Sequence, residues 1–427
     1  MSSSFITRSN IIVALYAIVL GAMVIISKPE AEYPMTMRLF LFGLSMLPVL
    51  LSPKYIIFSF ACIYAINSTS FCRILPSDYY YYYIIILLTF IYTKKSNSSL
   101  FRIRQCVLAL LPFYLISLVN LDAQPFQLWW AVALLFIPLL ESEENLKLLA
   151  FSFPVVSLIL SLLFILNNSY FMVSYSVDME RGGWINPNHF GGVVGLGVIV
   201  GLALMLGQLR FNISKLEKLF LLVCVSVSYV VTILNASRGS FISVSLVALI
   251  LVFLSNLKSK YKIIVSALLF AFAFYLWQSG VFELLIYRMK ADTARTVGNR
   301  TILWVEKIQC FFSQSNIIEL FFGSGAYSGA VSLGHSAGVV DMSTHNDYVT
   351  ALVGFGLFSF PYYIFLLLTP FRNTPKGKER KIMAILMLFF LLESSVLEPM
   401  FRGYVPYVMF FTFMYCYSHY LKENSVA

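Results

Sequence analysis

Four short segments of this sequence set cationic or imidazole side chains beside turn formers at the edge of an apolar run. In the first, Glu180-Arg181-Gly182-Gly183-Trp184-Ile185-Asn186-Pro187-Asn188-His189 precedes a glycine-rich apolar stretch. Asn-Pro marks a turn, and Asn188 suits the cap of the helix that follows. A helix start offers N–H groups to an anion, and Arg181 adds a positive charge nearby. The same residues also suit an interfacial loop anchored by Trp184, with Arg181 meeting lipid phosphate. In the second segment, Ser237-Arg238-Gly239-Ser240 joins two apolar runs with almost no loop between them. An arginine there is costly unless paired or in a wet cavity. Its guanidinium fork fits phosphate oxygens, and snorkelling to headgroups is the competing use.

The third segment, Gly298-Asn299-Arg300-Thr301, leads into Ile302, Val305, Ile308, Phe311 and Phe312 at helical spacing, with Trp304 among them and Gly323-Ser324-Gly325 beyond. This pattern predicts an amphipathic helix that lies on a membrane or caps a cavity, with Arg300 at its start. Arg288, Lys290 and Arg295 upstream read as a solvated basic stretch. The fourth segment, Thr344-His345-Asn346-Asp347-Tyr348, stands directly before another apolar run. Histidine is the side chain best suited to proton transfer near neutral pH. Of His189, His335, His345 and His419, His345 is singled out by its place at the mouth of a span, and a structural histidine is the alternative. Glu393 falls within or at the edge of an apolar run, where an ionisable group serves function or partners a cation. Asp347 and Glu398 are the other carboxylates near that face. The six cysteines are scattered without metal-ligand or disulfide spacing, so neither a metal nor another cofactor is expected.

The elements that must position these residues read as membrane helices. The chain of 427 residues is 59% hydrophobic and 12% charged, against about 25% charged for a soluble domain. The net charge of +10 does not point to nucleic acid, because the basic residues lie in short clusters between apolar runs. Those runs fall near residues 10–27, 38–52, 55–68, 78–93, 105–121, 126–141, 147–167, 188–208, 217–234, 239–257, 262–278, 346–369, 381–396 and 404–420. The expected fold is all-α, a polytopic integral membrane protein with about 12–14 transmembrane helices. The first run, Ile11 to Ile26, reads as a retained helix rather than a cleaved signal.

Charge gives the orientation. Lys94, Lys95, Arg102 and Arg104, then Arg210, Lys215 and Lys218, then Lys258, Lys260 and Lys262, then Arg372, Lys376, Lys378, Arg380 and Lys381 all fall on one side. Arg8 and Lys422 join them, which puts both termini in the cytoplasm. Four regions follow: N-terminal helices over 1–167, helices carrying the arginine motifs over 168–278, a large non-cytoplasmic loop over 279–345, and C-terminal helices over 346–427. Loops that long usually serve function or lack order.

In their order, these motifs resemble the bacterial O-antigen ligase and O-antigen polymerase family. The resemblance rests on Arg181 with Asn186-Pro187-Asn188, on Ser237-Arg238-Gly239, on Arg300 with Trp304, and on His345-Asn346 followed by Gly354 and Gly356. It covers roughly residues 175–360. It implies a metal-independent, inverting glycosyltransferase of the membrane-embedded GT-C type, in the bacterial inner membrane with a periplasmic active site. The implied donor is a glycan on undecaprenyl pyrophosphate. Under this resemblance Arg181 and Arg238 stabilise the departing pyrophosphate and His345 receives the proton of the attacking hydroxyl. Arg300, Asn188, Asn346 and Asp347 bind substrate, and the long loop covers the site.

Polymerase and ligase share donor and chemistry but differ in acceptor, a second lipid-linked repeat unit or the lipid A core. The Ile-, Asn-, Lys- and Tyr-rich composition leans towards a polymerase, as in variable surface-polysaccharide clusters, where a chain-length regulator is a possible partner. A polysaccharide flippase or other transporter is the reading from another class. Such proteins often carry paired repeats around a midplane site. Here no repeat is apparent and the candidate residues gather at one face.

Overall fold

A computed structural model of the protein describes residues 142–166, 187–235, 237–264, 297–325, 344–395 and 405–425, with isolated positions such as Phe113. Among the described residues every regular element is a helix. In chain order these are α1 (Glu143–Leu166), α2 (Pro187–Met205), α3 (Lys215–Leu234), α4 (Arg238–Leu254) and α5 (Val297–Gln314). They continue with α6 (Ile317–Phe322), α7 (Asp347–Leu367), α8 (Thr369–Asn373), α9 (Lys378–Ser394) and α10 (Val405–Glu423). The chain divides into two compact units, the first containing α1 to α3 and the second α4 to α10 together with Phe113.

The helices fall where the apolar runs place them. Among the described residues, Glu143–Leu166, Asn188–Met205, Lys215–Leu234 and Asp347–Leu367 are long and apolar enough to cross a bilayer. The apolar helix α4 is shorter, at 17 residues. In α9 the first turn is Lys378-Glu379-Arg380-Lys381, so its apolar part is shorter than the helix. The runs expected before residue 142 and near 262–278 lie outside the described residues apart from isolated positions.

In the first unit, α2 packs tightly on both its neighbours. Gly197 faces α1 so closely that a Cβ there would overlap the Ser157 side chain and stand 2.6 Å from the Phe153 carbonyl. Small residues at helix contacts let backbones approach in this way. Ser157 Oγ donates to the Val194 carbonyl across this contact, at 2.7 Å. Ser161 of α1 donates to Ser228 of α3. The start of α3 is fixed by a capping box, in which Ser214 Oγ accepts from Glu217 N and Glu217 accepts from Ser214 N. Such a box satisfies two otherwise orphaned donors. Lys147 then ties α1 to this start through an ion pair with Glu217 (2.9 Å) and a hydrogen bond to the Asn212 carbonyl.

In the second unit, α9 and α10 meet through Phe389 and Phe410 and through Phe390, Tyr407 and Phe411. At the far end of α10, His419 meets Asn373 of α8 at 3.2 Å. The long helix α7 is broken at Gly356, whose φ of 75° lies in the left-handed region. Beside the break, Phe355 packs edge-on to Phe113 at 4.9 Å between centroids.

Candidate active site

The site is built around the C-terminal turn of α9. Three groups on or just beyond that turn each hold a different segment. The Leu391 carbonyl accepts from Tyr348 Oη at 3.0 Å. The Glu393 carboxylate accepts from Ser243 Oγ of α4 and from Tyr407 Oη of α10, the latter at 3.0 Å. The Ser395 carbonyl accepts from Asn346 Nδ2 at 3.1 Å. Glu393 is completely buried, as is Asp347, so hydrogen bonding is what makes its burial tolerable.

Asn346 and Tyr348 belong to the Thr344–Tyr348 motif, and Ser243 lies one turn beyond the Ser237–Ser240 motif. Ser243 Oγ also lies within hydrogen-bonding distance of the carbonyls of Gly239 and Ser240, at 3.0 and 3.2 Å, and Ser237 donates to Ser240 at 3.2 Å. This serine ladder fixes the first turn of α4, which opens at Arg238 with Ser237 as its cap. Asn346 caps α7. Its Oδ1 accepts from the backbone N–H groups of Tyr348 and Val349, at 2.9 and 3.1 Å. The Ser-Arg-Gly turn and the His-Asn turn are therefore both referenced to one short segment of α9.

His345 lies between the capped helix and Thr344. Its φ of 50° makes it the one non-glycine residue with positive φ among those described. A residue held in that region marks a turn over-determined by its surroundings. Those surroundings are on both flanks. Thr344, fully buried, shares a 2.6 Å hydrogen bond with Thr350 Oγ1, and its carbonyl accepts from Trp304 Nε1 at 2.6 Å. The His345 side chain is only partly buried.

Trp304 belongs to α5, and Arg300 lies four residues earlier on the same helix, hence on the same face. The element that holds the His345 turn thus also carries Arg300. Trp304 and Ile308 of α5, Leu320 of α6 and Leu352 of α7 pack on Phe311, Val349 and Val353. The expected helix is present, but the face seated on the first half of α7 is that of Trp304, Ile308 and Phe311, whereas Ile302, Val305 and Phe312 of the expected apolar stripe are exposed.

In the second unit the turns that carry Arg238 and His345-Asn346-Asp347 are both tied to the end of α9, and α5, which carries Arg300, is tied to Thr344 through Trp304. Asn346 spends its side chain on capping α7 and holding Ser395. Asp347 accepts a hydrogen bond from Tyr363 at 3.3 Å, which couples it to the lower part of the same helix. These geometries give the two residues positioning roles in the site. Asn188 stands half-buried in the first turn of α2, in the first unit. Arg181, Arg288, Lys290, Arg295, His335 and Glu398 lie outside the described residues.

Sequence reasoning missed Lys307, a fully buried lysine on α5. It stands seven residues after Arg300 and three after Trp304, a spacing that returns to one helix face. That register was the available signal, although Lys307 sits within a stretch whose apolar stripe, Ile302, Val305 and Ile308, marks the neighbouring face. Among the described residues no group of three histidines, cysteines or carboxylates converges as metal ligands would. The sequence matches no protein-family model and no curated protein.

Proposed function

We propose that this chain is a polytopic membrane enzyme that joins undecaprenyl-pyrophosphate-linked glycan repeat units, an O-antigen or related surface-polysaccharide polymerase. The observation that carries the reading is the shared anchoring of the Arg238 turn and the His345 turn on α9. Two turns held by one helix end, one carrying an arginine and the other a histidine, suit the departure of an anionic group coupled to removal of one proton. In the reaction, an acceptor hydroxyl oxygen forms a bond to the anomeric carbon of the donor sugar. The bond from that carbon to the pyrophosphate oxygen breaks. His345 takes the hydroxyl proton, and Arg238, with Arg300 assisting, meets the negative charge that grows on the pyrophosphate.

The membrane setting is supported by which residues face outward. On α3 the exposed positions include Leu216, Leu219, Leu222 and Val223, and on α4 Ile242, Leu246 and Phe253. A helix in water shows polar residues on its outer face, whereas these faces suit lipid. The loop charges support cytoplasmic termini, and a bacterial inner membrane with a periplasmic site is what the resemblance to the O-antigen ligase and polymerase family implies.

The test is glycan transfer by the purified protein in metal-free buffer, with undecaprenyl-pyrophosphate repeat units as donor, with and without lipid A core. Wild type is compared with Arg238→Ala and His345→Asn. A ladder on the lipid carrier, lost in both variants, is the expected result. Transfer only when core is present makes the protein an O-antigen ligase using the same groups. No transfer by folded wild type under either condition overturns the enzymatic reading and returns the transporter to first place.

A further inference from the structure

The segment between the amphipathic helix and α7 belongs to what the sequence presents as an extramembrane loop. Its contacts descend along α7 instead. Trp304 of α5 meets the Thr344 carbonyl just above α7. Phe311, farther along α5, packs with Val349 and Val353. In α6, Phe321 stacks on Phe358 of α7 at 4.9 Å between centroids, and Phe322 lies 5.7 Å from the same ring. Phe358 lies just beyond the Gly356 break, and the nine residues Asp347–Phe355 before that break rise about 13 Å at 1.5 Å per residue. That is about half the thickness of a bilayer's hydrocarbon core, about 30 Å.

The backbone is equipped for such a place. Asn316 caps α6 through Ile318 N and Glu319 N, and Glu319 in return accepts from Asn316 N. At the other end Gly323 N donates to Glu319 O, and Gly325 N donates to the Gly354 carbonyl of α7 at 2.8 Å. Gly323 and Gly356, both with φ of 75°, press together so that a Cβ on Gly323 would overlap the Gly354 carbonyl. Non-helical backbone is tolerated at membrane depth where protein satisfies it, and here α7 does so. The side chains that α6 turns outward are apolar: Ile317 and Ile318 are 73% and 69% exposed, and Phe322 is exposed beside Phe358.

We infer that α6 is a re-entrant element whose outer face, Ile317, Ile318 and Phe322, is covered by the acyl chains of the bilayer at the level of the α7 break. The inference rests on the membrane reading above, because it takes its depth from α7. Phe358 and Phe365 of α7 are exposed as well, and Phe322 lies beside Phe358.

Fluorescent amino acids placed singly at Phe322, Phe358 and Phe365 of the full-length protein in phosphatidylcholine–phosphatidylglycerol vesicles test it. Quenching by lipids spin-labelled in mid-chain is compared with quenching by aqueous iodide. The expected result is severalfold stronger quenching by lipid than by iodide at all three positions. Iodide quenching at Phe322, with lipid quenching at Phe358 and Phe365, overturns the re-entrant placement alone. Iodide quenching at all three overturns the membrane reading as well. Should the Phe322 variant fail to fold, the more exposed Ile318 replaces it with the same two outcomes.

Discussion

Ser243 on α4 donates a hydrogen bond to Glu393 on α9 across 150 residues of sequence. That bond, with the one from Tyr407, converts a buried carboxylate into the common support of two helix starts. Replacing Glu393 with alanine removes the acceptor of the buried Tyr407 hydroxyl and leaves Ser243 only its local carbonyls. The loss at Tyr407 costs about 1–3 kcal/mol, so Glu393→Ala lowers the thermal unfolding midpoint in detergent. The milder Glu393→Gln retains an acceptor and much of the stability. Transfer activity falls further than stability in Glu393→Gln, because a misplacement of about 1 Å in a positioned group costs about 100-fold in rate.

The His345 turn separates backbone from chemistry. Asparagine tolerates positive φ, whereas alanine there costs about 1–2 kcal/mol. His345→Asn therefore unfolds close to wild type, His345→Ala unfolds earlier, and both lose transfer. Unfolding curves set beside turnover numbers check this. Equal stability of the two variants would remove the strain from the account.

Trp304→Phe keeps the ring and deletes the donor to the Thr344 carbonyl. The expected stability loss is about 1 kcal/mol, with a larger fall in turnover than in apparent donor affinity. A thermal shift assay and a donor titration separate the two.

Gly323→Ala and Gly356→Ala each place a methyl against backbone, since a Cβ on Gly356 would stand 2.6 Å from Gly323 N. Each variant is expected to lose more than about 2 kcal/mol. Because the two glycines share one contact, the double variant loses less than the sum. Folded yield and unfolding midpoint of the three proteins measure this.

How far the sequence reaches depends on the range of the signal. Apolar runs and their flanking charges are local, and α1, α2, α3, α4, α7, α9 and α10 begin and end within a few residues of where those runs place them. The Ser237–Ser240 turn and the amphipathic α5 were legible for the same reason. Glu393 was visible as an odd carboxylate in an apolar run, but its partners are not, because Ser243 and Tyr407 carry no mark of a bond made across the fold. Gly323 and Gly356 stood out separately as glycines, and only the backbone path reveals that they touch. The short α6 gave no period of its own within six residues.

The break at Gly356 bears on the order in which the protein matures. The part of α7 before it, Asp347–Phe355, is nine residues long, too short to cross a hydrocarbon core on its own, which takes about 20 residues. It packs instead on α5 and α6, which precede it in the chain. The turn at His345 is therefore completed only when a segment made first is docked by one made after it.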